Sequence, residues 1–369
     1  MASLKPASLT SKNSENSKIK GETMFNRRHV LGGLIAAPAV LRVSRAGAAE
    51  VSMRMHHFMG GVSPGHREFM VPWSKKVEAE SGGRIKIDVF PSMQLGGAPP
   101  QLFDQAKDGV VDLVWTLPGY TANRFPVSEV FELPFIAAKR ASTNSRALQE
   151  FAGKHLQKEF GEIHPICFWA HDGGLIHSAK PVTNLEDMKG LKLRFPTRLA
   201  GEGLRALGAT AVGMPVPQVP EAIAQRVIDG AVVPWEIVPS IKLHEMVKHH
   251  IGFPGTPTFY TSTFVLAMNK ARYASLAPDL KKVIDANSGM VATDMVAAMF
   301  DNTAPKVADL AKKRGNIVST LGADEVVRWK AACAPVTEAW LKSAKEKGIN
   351  GENLIADATA LIAKHDKMA

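Results

Sequence analysis

An α/β fold is predicted by three features of the sequence. Short strand-like runs recur along the chain, helical patterns separate most of them, and 369 residues that are 45% hydrophobic can bury a core large enough for two or more domains. In order, the runs are VSMRMHHF (51–58), RIKIDVF (84–90), VVDLVW (110–115), HPICFWA (164–170), LKLRF (191–195), AVGMP (211–215), GAVVP (230–234) and TFVLAMN (263–269). The spacing after Pro220 predicts a helix with Ile223, Ala224, Val227 and Ile228 on one core-facing side and Gly230 as its stop. Residues 278–314 read as helical over an unusual length, long enough to brace two lobes, with a break at Asn287-Ser288-Gly289.

The first 49 residues read as an export signal. NRRHVLGGLIAAPAVLRVSRAGAAE carries the pair Arg27-Arg28, an apolar stretch from Leu31 to Leu41 and the small-residue site Ala46-Gly47-Ala48. The apolar part is too short and too broken by Gly and Pro to span a bilayer. Twin arginines before a weakly hydrophobic core resemble a twin-arginine signal, and Met24 is the expected start, although Met1 stays open.

The formal charge of +10 suggests a nucleic-acid partner only until it is mapped. Eight basic against two acidic residues precede residue 50, so the remainder carries a modest surplus and no basic run interleaved with aromatics. No nucleic acid is expected. Cys167, in an apolar strand, and Cys333, in an Ala-rich helical segment, read as small buried hydrophobes, with a disulfide left open.

Signatures of catalysis are missing. The chain has no Gly-x-Ser-x-Gly elbow, no P-loop and no Gly-x-Gly-x-x-Gly after a strand, so the reading is a non-enzyme without a cofactor. In HEMVKHH (244–250), His244 and His249 are five apart, about 140° around a helix, whereas a zinc pair needs one turn. His56 and His57 alternate faces of a strand, so at most one reaches any single site.

Seven segments in order, SGGRIKIDVFPSMQLGG, AKDGVVDLVW, FELPF, LEDMKGLKLRFPT, LGATAVGMP, IDGAVVPWE and FVLAMNKARYASLAPDLKKVI, resemble the solute-binding subunit of tripartite ATP-independent periplasmic (TRAP) transporters. The resemblance runs from Val51 to Ile284. It implies a two-lobed periplasmic solute-binding fold with crossover strands and a long interlobe helix: lobe I at 50–172 plus 262–300, lobe II at 173–261 plus 301–369. It also implies an organic-acid ligand, small and large TRAP membrane subunits as partners, a periplasmic location and a monomer. A ligand-sensing receptor subunit and an enzyme on the same fold are the alternatives.

In that family the arginine of the KLR strand pairs with the ligand's carboxylate, and Arg194 matches it. The chemistry is apt, because a guanidinium stays charged and offers a planar fork that binds carboxylate bidentately. A structural salt bridge is the competing role. Thr197, after the strand-ending Phe195-Pro196, joins the candidate site; Arg198 is a further candidate, otherwise solvent-exposed or stabilising a hinge.

Two departures bear on the ligand. Val233 stands where many relatives have an asparagine, and Gly174 stands where sialic-acid-type members carry a second arginine. Phe58, Met59, Trp115, Leu117, Tyr120 and Trp235 could supply an apolar, aromatic wall instead. The expected ligand is therefore an aromatic or hydrophobic monocarboxylate, with a C4-dicarboxylate or 2-oxo acid as the alternative. Glu236, His57 and His171 are the remaining candidates for ligand contact, Glu236 alternatively supporting Arg194.

Overall fold

The computed structural model describes residues 49–368, so the expected export signal lies outside the described residues. Its strands are β1 (Val51–His57), β2 (Ile85–Phe90), β3 (Leu113–Thr116), β4 (Ile163–Ala170), β5 (Leu175–Ser178), β6 (Lys192–Phe195), β7 (Thr210–Gly213), β8 (Gly230–Val233), β9 (His249–Gly252), β10 (Thr263–Asn269) and β11 (Ile317–Thr320). The α-helices are α1 (Val71–Glu80), α2 (Leu102–Lys107), α3 (Ala141–His155), α4 (Arg198–Ala206), α5 (Val219–Ala224), α6 (Leu243–Met246), α7 (Lys270–Ala274), α8 (Pro278–Ala286), α9 (Met290–Lys313), α10 (Ala323–Glu346) and α11 (Gly351–Asp366).

The strands form two sheets, one in each lobe, ordered β2-β1-β3-β10-β4 and β11-β9-β5-β8-β6-β7. In the first, β1 runs parallel to β2 and β3 through βα connections, and β10 inserts antiparallel between β3 and β4. That position explains the composition of β10. Flanked on both edges and covered on both faces, all seven of its residues are buried, and TFVLAMN is accordingly almost continuously apolar. By contrast β2 alternates, with Ile85 and Ile87 inside and Lys86 and Asp88 outside.

The chain crosses from the first sheet to the second between β4 and β5 and returns between β9 and β10. The two crossings touch, since the Gly174 amide donates to the Tyr260 carbonyl at 3.0 Å. The predicted break at 287–289 separates α8 from α9, with Gly289 at φ 61°. The long helix α9 then packs on α3 and β4 of the first lobe and on β11 and the short turn Trp235–Ile237 of the second. It braces both lobes, as expected from its length.

Three expectations need correction. The helix after Pro220 is a short one, ending at Ala224 because Arg226 turns left-handed at φ 59°; Val227 is exposed, and Gly230 opens β8. Strands β5, β9 and β11 were missed: at four residues each, carrying histidine or serine, they present little periodicity to read. Residues 301–369 do not all belong with the second lobe. Helix α10 packs on α4, but α11 lies along α3 of the first lobe, fastened by His155 to Asp357 at 2.8 Å and Lys364 to Glu150 at 2.7 Å. Cys167 and Cys333 are both buried and unpaired with each other. No described helix is long and apolar enough to cross a membrane.

Candidate functional site

Strand β6 is short, and its alternation places two very different residues in the interior. Leu193 enters the apolar core of the second lobe, while Arg194, on the opposite face and only 2% exposed, points into a small cavity of about 40 Å³. Pro196 then ends the strand, and Thr197, in extended conformation, precedes α4. Register with β8 (Arg194 opposite Ala231) brings the backbone after Ala231 alongside the guanidinium.

Two backbone carbonyls orient that guanidinium. Arg194 Nε donates to Met214 O at 2.9 Å and Nη1 to Val232 O at 3.2 Å, while Nη2 is buried and bonds no group of the described chain. Of five N–H donors, three remain for a ligand. No carboxylate among the described residues pairs with it. Its electrostatic neighbours are the phenols Tyr120 and Tyr260, and burial lowers its pKa from the ordinary value, as desolvation of an unpaired cation must. Guanidinium remains charged all the same. An uncompensated buried cation is costly for the protein alone and becomes favourable when an anion completes it.

Around this cation the walls are apolar and aromatic. Phe58, Trp115 and Tyr120 form one cluster, with ring centroids 5.5 Å apart for Phe58 and Trp115 and 5.4 Å for Phe58 and Tyr120. Met59, Leu117, Val216, Val233, Ile237, Phe264 and Phe300 continue the lining. Tyr120 also ties the lobes together, its hydroxyl accepting the Val216 amide at 3.0 Å.

The polar lining is sparse. Tyr260 Oη and Ser262 Oγ are buried without a partner in the described chain. Buried Glu236 accepts the Gly65 amide at 3.1 Å, and desolvation pushes its pKa up to about 7. His171, held to about 4 by burial and bonded through Nδ1 to the Asp172 carbonyl oxygen, is neutral at physiological pH.

Several candidates lie elsewhere. Trp235 turns to the reverse side of β8, where its ring meets His177 at 5.3 Å and His250 at 5.1 Å and borders a separate groove. Strand alternation would put Trp235 on the side of Val233, but β8 ends at Val233 and the turn after Pro234 sends the indole to the other side. His57 is enclosed behind Trp115, bonded to His66 at 3.0 Å and to the Met59 amide at 3.2 Å. Arg198 is committed to Glu129 and Glu202. Thr197 packs against Gly119, where a Cβ would meet its methyl at 2.4 Å, and does not border the cavity.

Tyr260, Ser262, Phe264 and Phe300 were not anticipated. The aromatic residues just before and within TFVLAMN were a signal for Tyr260 and Phe264; Ser262 and Phe300 carried none, because nothing local distinguishes a cavity-facing serine or helical Phe from one elsewhere.

The sequence model of the bacterial extracellular solute-binding proteins, family 7 (DctP), matches residues 55–343. The chain belongs to that family. It shares 43% identity with a TRAP solute-binding protein from Rhodoferax ferrireducens T118, solved with copurified benzoate, at TM-score 0.83 over 86% of this chain and 99% of the other. A marine metagenome TRAP solute-binding protein specific for aromatic acid ligands, solved with metahydroxyphenylacetate, is 42% identical at TM-score 0.84 with the same coverage. The outer membrane transporter protein TsaT of Comamonas testosteroni is 25% identical over 335 residues, 90% of this chain and 96% of its own. The family 7 chain is thus an extracytoplasmic solute-binding component of a TRAP transporter, a class that works with membrane subunits. Its two-lobed α/β architecture is that of the solved TRAP proteins.

Proposed function

We propose that this family 7 protein captures an aromatic monocarboxylate, with Arg194 binding the carboxylate and the Phe58, Trp115 and Phe264 rings packing against the ligand's ring. The observation that carries the reading is the lone cation: among the described residues Arg194 is the only cationic side chain bordering the cavity, with His171 neutral and Arg198 paired outside it. A second carboxylate would enter an apolar space with no cation to meet it, at the high cost of an unpaired buried charge. The relatives solved with benzoate and metahydroxyphenylacetate support the same class.

The protein acts by closure of two lobes over the acid and performs no covalent chemistry on it. Closing removes water from the Arg194 pair and offers the membrane subunits a surface that differs between free and loaded states. Export proceeds through the Arg27-Arg28 signal into the periplasm.

Calorimetry on the chain from residue 49 onward, titrated with benzoate, phenylacetate, succinate and malate, tests the ligand class. Micromolar binding of the aromatic acids is expected. Binding of the dicarboxylates without any aromatic response would reject it.

A further inference from the structure

We infer that the cavity has a second polar anchor, Glu236, and that the preferred acid carries a ring hydroxyl that donates a hydrogen bond to it. This deepens the aromatic monocarboxylate reading and rests on it.

The two anchors are set apart by the backbone. Val232, whose carbonyl holds Arg194 Nη1, and Glu236 are joined by the end of β8, Pro234 and the first residue of the turn Trp235–Ile237. Val232 and Glu236 both border the cavity, Val232 from the strand and Glu236 from the turn that follows it. Polar groups divide accordingly. Tyr120 and Tyr260 are electrostatic neighbours of Arg194, whereas Glu236 bonds the Gly65 amide and neighbours Glu68. Glu236 does not pair with Arg194.

Among the described residues only one bond reaches Glu236, at Oε1, and a carboxyl offers about four lone-pair sites. It borders the cavity while 2% exposed, so its remaining capacity is directed at whatever the cavity holds. The chemistry selects a donor. An unsubstituted ring would leave that capacity unmet, and a second carboxylate would face a like charge. A phenolic hydroxyl is small, donates one hydrogen and adds no charge. Gly65 links this end to the aromatic wall: a Cβ on it would meet Trp115 Cη2 at 2.5 Å, so the amide that bonds Glu236 rides directly on the ring wall.

The test compares benzoate, 3-hydroxybenzoate, 4-hydroxybenzoate and 3-methoxybenzoate by calorimetry on wild type, Glu236→Gln and Glu236→Leu, with thermal unfolding to establish that each variant is folded. On wild type, one hydroxybenzoate is expected to bind about tenfold or more tighter than benzoate, the range for a hydrogen bond to a charged group, and the methoxy compound to lose that gain. The hydroxy-to-unsubstituted ratio should shrink in Glu236→Gln and approach one in Glu236→Leu. Equal binding of benzoate and both hydroxybenzoates by wild type, or a preference that survives Glu236→Leu, overturns the hydroxyl anchor while leaving the aromatic class standing. Absence of any benzoate binding alongside tight succinate binding overturns both. The wild-type series alone decides the matter if neither variant folds.

Discussion

Gly174 and Tyr260 occupy one space. A Cβ built on Gly174 would lie 2.0 Å from Tyr260 Cε1, and the Gly174 amide donates to the Tyr260 carbonyl at 3.0 Å. The position at which the sequence resemblance led one to look for a second arginine is thus closed to any side chain, because a phenol from the returning crossover fills it. Replacing the cation removes a charge partner and adds an aromatic wall at the same point.

Gly174→Ala should therefore displace Tyr260 and lower stability by ~1–3 kcal/mol, the usual cost of overpacking. Tyr260→Ala placed beside it should recover part of that loss. Thermal unfolding of the two single variants and the double gives the coupling, and strict additivity would show that the two residues do not compete.

Arg194→Ala should weaken binding of the aromatic acid by roughly 2–5 kcal/mol, in the range for truncating one member of a buried charge pair. Arg194→Lys should restore only part, since an ammonium cannot reproduce the fork. Arg194→Met separates charge from packing: the unliganded protein is expected to unfold at or above the wild-type temperature, because an unpaired buried charge has been removed. Denaturation with and without ligand measures both effects. Wild-type affinity in the alanine variant would place the carboxylate elsewhere.

Glu132 carries a pH prediction. Burial raises its pKa to about 7, although it accepts hydrogen bonds from Thr263 N at 3.0 Å and Oγ1 at 2.9 Å. A carboxyl whose folded pKa is raised binds its proton more tightly when folded, so its contribution to stability is complete below the unfolded value near 4.5 and is lost as pH rises through about 7. Glu132→Gln has no such loss. Relative to wild type, the variant should gain stability progressively between pH 4.5 and 7 and level off above, at ~1.4 kcal/mol per unit of pKa difference. A flat difference across that range in chemical denaturation would rule it out.

Lysine at both Arg27 and Arg28 should leave precursor in the cytoplasm, where its folded domain still binds the acid, if the twin-arginine reading is right. Fractionation of cells expressing the double variant measures this. Normal export would point to another signal type.

The sequence by itself determined the α/β class, the order of most strands, the break at 287–289 and the burial of Arg194 in β6. All of these depend on properties a strand or helix carries within its own ten residues: alternation, breakers, and an arginine where an apolar residue would be routine. Val233 on the cavity wall was indicated by the family resemblance, where many relatives have an asparagine.

Tertiary structure decided which of the remaining side chains border the cavity. Trp235 and Val233 lie two apart, yet Pro234 and the turn beyond it send the indole to the histidines behind β8 and leave the valine in front. Arg198 was removed from the site by Glu129, 69 positions earlier in the chain, and Phe300 was added to it by a helix that spans both lobes. Pairing across such separations depends on how the lobes pack against each other. Local periodicity holds no record of that, so Arg194, Phe58, Met59, Trp115, Leu117 and Tyr120 were named in advance and do border the cavity, while Trp235, Thr197 and Arg198 lie off it and Tyr260 and Phe300 went unread.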